Sequence, residues 1–486
     1  MPKAIIVGSG IAGMAVAIRL AKKGYDVTVF EKNNYPGGKL SLLTLGNYKF
    51  DAGPSLFTQP QQIEELFALC GEPIAEYFLY QPIDIACNYF FENGKRVHAY
   101  VNKEKFATEL SQKLNESTSA VQQYLDESKR MYDNIGQIFL NNSLHKLSTW
   151  LHKRVLKALY FTRLSYLIKN LHQLNSKRFT SPEAVQIFDR YATYNGSSPY
   201  KAPGMLGLIP HLEYNEGVFY PTGGMINITN ALYKLALKMG VQFEFEKKVD
   251  RILHTDNKVS GAVVEGVSIY SDIVVSNMDV YFTYKNLLDN STKAAKILKL
   301  QRSSSALVFY WGIKKQFPEL SLHNIFFTKN YKEEFDSLFE TKTLYNDPTI
   351  YINITSKMDA DHAPEGCENW FVMINAPENI GQDWEDFRVR AKQNIIQKLN
   401  RILKTNFEDL IETESILDAP LIESKTNSYR GSLYGTSSNN PLAAFLRHPN
   451  FNSSINGLYF CGGSVHPGGG IPLCLKSAQI VSELIN

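Results

Sequence analysis

The sequence predicts an α/β protein, and three observations predict it. An apolar run at residues 4–7 opens directly into the series Gly8-Ser9-Gly10-Ile11-Ala12-Gly13, followed by a helical pattern through Met14, Ala15, Ala17, Ile18 and Leu20. A second apolar β run at residues 27–30 ends in the acidic Glu31. Farther on, residues 305–311 and 369–374 are rich in β-branched and aromatic side chains and read as strands of a further sheet.

With 486 residues, the chain is long enough for two to four structural units at roughly 100 to 200 residues each. Charged residues make up 20% and hydrophobic ones 44%, a composition that excludes a disordered, collagenous or coiled-coil chain. The net charge of +3, from 51 Lys and Arg against 48 Asp and Glu, gives no broadly basic surface for nucleic acid. Cys70, Cys87, Cys367, Cys461 and Cys474 are odd in number and lack CxxC or CxH spacing, so neither a disulfide framework nor a zinc site is expected and a reducing compartment is the simpler reading. No stretch reaches 18 apolar residues, and the first residues lack the order of an export signal, so the expectation is a protein that neither spans a bilayer nor leaves the cell.

The first element is a strand, a glycine turn and a helix that ends near Gly24. Gly8 permits the tight turn, Gly10 lets the backbone approach a phosphate, and Gly13 allows helix and strand to pack closely. Glu31 stands 18 residues after Gly13, where a carboxylate accepts hydrogen bonds from a ribose, so the unit reads as a Rossmann-like dinucleotide site. Lys32 follows, then a second glycine turn with a cation, Pro36-Gly37-Gly38-Lys39, and Phe50-Asp51-Ala52-Gly53-Pro54-Ser55. Taken alone, the second turn also reads as an ordinary surface turn.

In the middle of the chain, Tyr220-Pro221-Thr222-Gly223-Gly224-Met225 precedes a helix through Leu232, Leu235 and Leu237. Residues 249–252 and 259–263 read as a hairpin beginning at Val249, and residues 273–279 as a returning strand and loop holding Asn277 and Asp279. Near the end, Gly431-Ser432-Leu433-Tyr434-Gly435 and Arg447-His448-Pro449-Asn450 precede a buried strand at residues 457–460. That strand runs into Cys461-Gly462-Gly463-Ser464-Val465-His466-Pro467-Gly468-Gly469-Gly470-Ile471-Pro472 and a last helix over residues 473–484. Consecutive glycines beside a helix N-terminus leave N–H groups free for an anion.

On these motifs the chain resembles the phytoene-desaturase-type carotenoid oxidoreductases, within the FAD-dependent family that includes flavin amine oxidases. The resemblance touches the whole chain, densely at both ends and thinly between residues 100 and 210. It implies FAD as cofactor, no metal, and a discontinuous Rossmann-like FAD-binding domain of the glutathione-reductase type, with a mixed-sheet substrate domain and a helical membrane-facing lid. The implied boundaries are 1–75, 220–300 and 447–486 for the FAD domain, 76–102 and 301–446 for the substrate domain, and 103–219 for the lid. It places Gly8 to Gly13, Glu31, Lys32, Gly38, Lys39, Gly53, Pro54, Ser55, Val249, Asn277, Asp279, Gly462, Gly463, Ser464, Gly470, Ile471 and Pro472 at the cofactor, with Val249 at the adenine end. Two departures stand out. The amine oxidases carry an acid in the C-terminal glycine strand, whereas this chain has Ser464 and no acid between Asn456 and Ser482, so that contact must be made by other means. The run Gly462-Gly463-Ser464-Val465-His466 replaces the Gly-Ala-Gly-Thr-His of many such desaturases, a variant associated with desaturases of hydroxylated carotenoids.

Between Asp133 and Glu183 there is no acid, yet Lys146, Lys153, Arg154, Lys157, Arg163, Lys169, Lys177 and Arg178 interleave with Trp150, Leu151, Val155, Leu156, Leu159, Tyr160, Phe161 and Leu164. Residues 146–178 therefore read as an interfacial segment on anionic lipid, or else as a solvated basic helix packing an apolar stripe on the core. The resemblance implies a lipid-soluble carotenoid substrate, a peripheral position on the cytoplasmic face of a membrane, and oxygen or a quinone as electron acceptor.

The implied reaction is desaturation by hydride transfer to the flavin N5, with 1-hydroxycarotenoid 3,4-desaturation first and stepwise phytoene desaturation second. Carotenoid cis-trans isomerisation, retinol saturation and, from another class, a flavin-free escort of prenylated proteins remain open on the same scaffold. A substrate tunnel of apolar and aromatic side chains is expected rather than a catalytic dyad. His466, Arg430, Tyr429, Tyr434 and Asp51 are candidates for a base, but a hydrogen-bonding role in the loop suits His466 and a turn role suits Asp51, so the catalytic residue stays unassigned.

Overall fold

The computed structural model describes residues 1–150, 165–440 and 447–485. The glycine-rich N-terminus forms β1 (Lys3–Val7), α1 (Ile11–Lys22) and β2 (Asp26–Phe30) in the expected order. β1 is the centre of a five-stranded parallel sheet, flanked on one side by β2 and Gln242–Glu244 and on the other by Ile273–Ser276 and Leu458–Phe460. Chain segments from both ends and the middle thus complete one sheet. α1 is buried along most of its length, and it packs with Ile226–Lys238 and the C-terminal helix Ile471–Leu484 on one face. Leu237, read from sequence as part of that apolar stripe, points outward and is exposed. The 249–263 hairpin is present, gains a third antiparallel strand, Val267–Tyr270, and packs Val249, Ile252, Val259, Ala262 and Val264 on the opposite face of the parallel sheet.

The second sheet has seven strands, in the order Ile411–Leu417, Ser305–Ile313, Glu368–Ala376, Ile350–Asn353, His323–Phe326, Ile85–Phe90, Arg96–Tyr100. All its pairings are antiparallel except His323–Phe326 with Ile85–Phe90, so the sheet is mixed. The two strands legible in sequence pair directly, with Trp311 opposite Trp370. Their side chains alternate between two destinations, as a period of two requires. Leu307, Phe309, Trp311 and Trp370 pack with the helix Trp384–Leu403, while Ala306, Val308, Tyr310 and Phe371 face Tyr48 and Phe50 on the other side. The described residues of 103–219 are mainly helical and cover the sheet beside Ile85–Phe90, where Phe106, Leu110 and Phe188 join Tyr89 and Phe327 in one core.

Candidate active site

At the carboxyl ends of the parallel strands, Gly8, Asn277 and Gly462 follow β1, Ile273–Ser276 and Leu458–Phe460. The order of the sheet reverses at β1, and open α/β sheets bind ligands outside the strand ends at such a switch point. Asn277 ties the ends together. Its backbone N–H donates to Val7 O at 2.9 Å and its Nδ2 to Cys461 O at 3.2 Å. A side-chain carbon on Gly10 would stand 2.7 Å from Asn277 Oδ1, and one on Gly13 would run into the Gly8 carbonyl. These glycines are therefore required by close packing.

Two helix N-termini open into the same cavity. α1 starts after Gly10 and the C-terminal helix after Gly470, whose φ of +112° suits only glycine, and neither start is capped by a side chain. The first N–H groups at each helix start, Pro472 contributing none, lack intrahelical partners, and the helix dipole favours an anion there. Ile11, Ala12, Ile471 and Pro472 line the cavity beside them, as do Gly463 and Ser464.

Glu31 is buried, and all its acceptor positions are engaged. Oε2 accepts from Ser9 N and Oγ at 2.9 and 3.0 Å, and Oε1 from Asn33 N and Nδ2, both at 2.9 Å. A carboxylate has about four such positions, so a ribose hydroxyl would take the place of the Ser9 hydroxyl or the Asn33 amide. Lys32 reaches away from the strand ends to Ser424 O and Asn427 Oδ1, at 2.7 and 3.0 Å. Gly37 pairs with Gly10 across a bridge, and Gly38 lies against the Gly10 backbone. Lys39 is half-buried with Leu433 O as its hydrogen-bond acceptor at 3.0 Å, and desolvation pushes its ammonium down to about 8 against the pull of Asp279. Gly53 is packed on the Lys39 carbonyl, which carries Pro54 and Ser55 onto the cavity wall. Val249 lines the far end beside Lys248, a cation the sequence reading passed over.

The acid missing from the glycine strand has a neighbour on the adjacent connection. Ser464 Oγ accepts from Val280 N at 3.0 Å, next to Asp279, which lines the cavity and pairs with the buried Arg302 at 2.5 Å. Arg302 Nε and Nη1 have no partner among the described residues. Asp51 is placed otherwise than a turn residue or a base. It accepts from Met225 N and Ile226 N at 2.8 and 3.1 Å, holding the start of the helix Ile226–Lys238, and burial raises it to about 6. His466 is hydrogen-bonded through Nε2 to Asn142 O at 3.0 Å, and burial lowers it to about 4, so it is a neutral, committed side chain. Arg430 pairs with Glu378, and Tyr434 stacks its ring edge near Gly469.

The cavity holds about 1400 Å³ and continues from the glycine cradle into an apolar chamber. Drug-sized ligands occupy sites of roughly 300 to 1,000 Å³, so there is room for a dinucleotide and a second molecule. Ile135, Phe139, Leu140 and Met205 from the helical layer face Phe371 and Met373 from the seven-stranded sheet across this chamber. The uncapped helix starts and the Lys39 ammonium, all on the cavity wall, fit the pyrophosphate and polar edge of a bound flavin nucleotide.

A family model for flavin-containing amine oxidoreductases matches residues 11–486. The chain belongs to this family. It is an FAD-dependent oxidoreductase. Among relatives, it is 52% identical over 486 residues to a 1-hydroxycarotenoid 3,4-desaturase of Flavobacterium sp. (strain P99-3), covering 100% of this chain and 99% of that one. It is 33% identical over 494 residues to a 4,4'-diapolycopene oxygenase of Methylomonas sp., covering 99% and 98%. The fold is shared with an oxidoreductase from Methanosarcina mazei at a TM-score of 0.66 and 14% identity, covering 99% of this chain and all of the other.

Proposed function

We propose that this flavoprotein desaturates a carotenoid that carries a hydroxylated end group, introducing a C=C bond beside that end. The observation that carries the reading is the single cavity that joins the glycine cradle to an apolar chamber, in a chain 52% identical over its full length to a 1-hydroxycarotenoid 3,4-desaturase. A long hydrocarbon has few polar handles, so an enzyme acting on it must bind by burial in such a chamber. Gly8 to Gly13, Glu31, Lys32, Gly38, Lys39, Gly53 to Ser55, Val249, Asn277, Asp279, Gly462 to Ser464 and Gly470 to Pro472 are the residues proposed to hold the cofactor. Bound FAD supplies the two-electron acceptor for one C–H hydrogen, and the neighbouring hydrogen leaves as a proton.

The chain's own part is positioning and exclusion of water. Tyr310 and Phe371, packed edge to face at 5.6 Å, and Tyr351 beside them present flat walls against which a polyene lies. Neither histidine on the chamber wall, His323 or His466, is a strong base. Burial holds His323 near 3 and His466 near 4, and a proton lost beside a polyene requires only a modest acceptor. Oxygen or a quinone takes the electrons onward. Segment 146–178 is proposed to meet the lipid surface that stores the substrate. Its residues 151–164, with Lys153, Arg154, Lys157 and Arg163, lie outside the described residues, but Trp150 and Ile168 on either side of them are exposed. No described helix is long and apolar enough to cross a membrane.

The test is incubation of the FAD-loaded protein with liposomes carrying phytoene or a 1-hydroxylated carotenoid, followed by the visible spectrum of the extracted pigment. A red shift with the hydroxylated substrate alone supports the reading. Stepwise shifts with phytoene alone would replace it by the early desaturase, and no shift with either, FAD bound and quinone supplied, would refute it.

A further inference from the structure

One part of the chamber wall is not apolar. Arg190 and Glu213 form an ion pair at 2.9 Å, 8% and 2% exposed, and both line the cavity. Such a pair adds little to stability once its desolvation is counted, so its presence beside a hydrocarbon site calls for another role. Glu213 is saturated, accepting Arg190 Nη2 on both oxygens and the hydroxyls of Tyr191 and Tyr194. Arg190 is not, since its Nε is buried with no acceptor among the described residues.

His323 has the same deficit. Asn353 Nδ2, which also donates to Leu322 O at 3.1 Å, can only donate at its 3.2 Å contact with His323 Nδ1. Nδ1 therefore accepts, and the neutral ring carries its proton on Nε2, which is buried without an acceptor. Tyr351 Oη approaches the same Nδ1 at 2.8 Å and Ser55 Oγ at 2.7 Å. Ser55 ends the Gly53-Pro54-Ser55 turn packed on Lys39, so the polar patch begins one side chain from the cradle. Two buried donors thus lack an acceptor in a wall built from His323, Tyr351, Arg190 and Glu213.

We propose that this patch is the subsite for the substrate's tertiary hydroxyl, with the His323 and Arg190 side chains, whose Nε2–H and Nε–H are covered by their neighbours, turning to donate to the alcohol oxygen. The assignment rests on the reading that the substrate is a 1-hydroxycarotenoid oxidised at its C3–C4 bond. In that molecule a single methylene separates the carbinol carbon from the reacting bond, so the hydroxyl must be bound close to the cofactor. The patch meets that requirement through Ser55. An alcohol oxygen has two lone pairs, one for each orphaned donor, and once it is bound the patch selects both the molecule and the bond presented.

The test compares kcat/KM for a 1-hydroxylated carotenoid and its non-hydroxylated counterpart in the wild type, His323→Phe and the double variant Arg190→Met/Glu213→Leu. The double variant removes both charges together and so leaves no unpaired ion in the wall. Sites built to hydrogen-bond a hydroxyl discriminate strongly against its absence, so a wild-type preference of about 100-fold or more is expected, falling at least about tenfold in each variant. Flavin content reports that each variant still folds around its cofactor, and the ratio of the two kcat/KM values cancels any loss common to both substrates. A second readout needs no turnover: in titration calorimetry a saturated tertiary alcohol with the same branched end group should bind more tightly than the matching alkane, and lose that advantage in His323→Phe. Equal preference in all three proteins, with FAD bound, and equal binding of alcohol and alkane would overturn the subsite and leave the desaturase reading standing. Failure of the wild type on both carotenoids, with the alcohol still favoured through His323, would instead overturn the desaturase reading alone.

Discussion

Replacing Gly10 by alanine separates packing from cofactor binding at the strand ends. Gly10 has φ −63° and ψ 171°, which alanine adopts freely, so the backbone is not strained by the change. The new methyl would stand 2.7 Å from Asn277 Oδ1, about 0.7 Å inside ordinary contact. Asn277 cannot retreat easily, because its Nδ2 is bonded to Cys461 O. Overpacking of this kind costs about 1–3 kcal/mol. Asn277→Ala alone loses one hydrogen bond, worth about 0.5–1.5 kcal/mol. In the double variant the clash is gone, so urea denaturation of the flavin-free proteins should show a favourable coupling of about 1–2 kcal/mol. Flavin retention after gel filtration should not recover if, as proposed, the Gly10 backbone meets the cofactor, because the methyl remains on that turn. Gly13→Ala is the control: its methyl meets the Gly8 carbonyl as well as Asn277, and removal of Asn277 should not rescue it. Strictly additive losses for Gly10→Ala and Asn277→Ala would refute the placement of Asn277 over the glycine turn.

Lys39 gives a pH dependence with a defined sign. With burial lowering its ammonium to about 8 in the flavin-free protein, an anionic cofactor beside it restores the charged form, so binding takes up a proton above pH 8. Affinity for FAD should weaken by up to about tenfold per pH unit between pH 8 and 10, and Lys39→Met should flatten the profile in a fluorescence titration. Because the unfolded chain holds that proton more tightly, the flavin-free protein should gain stability as pH rises through the same window. Glu31→Gln replaces an acceptor of four donors by one with two of them mispaired, so it should lower flavin affinity and destabilise the apoprotein by about 1–3 kcal/mol in the same denaturation assay. Trp370→Ala, at a fully buried position packed on Phe317 and Phe407, should cost about 3–5 kcal/mol by denaturation while leaving the flavin spectrum of the folded fraction unchanged.

The glycine turns, the strands that carry them and the two central strands of the mixed sheet were legible because each has a local cause. A positive φ, a close approach or a period of two is written into neighbouring residues. The same is true of Gly470 and the final helix, which starts at Ile471 rather than at 473 because Pro472 suits a first turn. What could not be read was the set of partners. Lys32 faces Ser424 and Asn427, and Asp51 holds a helix start 174 residues away; both contacts follow from tertiary packing between distant segments. The polar patch was equally hidden. His323 and Tyr351 are polar interruptions in the apolar strands His323–Phe326 and Ile350–Asn353, a weak local signal, while Arg190 and Glu213 come from the helical layer and meet only in the folded chain.

The most direct test of the desaturase reading is an anaerobic mixing of the FAD-loaded protein with an excess of 1-hydroxylated carotenoid in liposomes, with no quinone present. One molecule of lengthened polyene should form for each flavin, with the visible flavin absorbance bleaching at the same rate, and further product should appear only after oxygen or quinone is admitted. Bleaching without a new double bond, or a red-shifted pigment formed repeatedly with the flavin still oxidised, would contradict hydrogen removal by the cofactor held in this cradle.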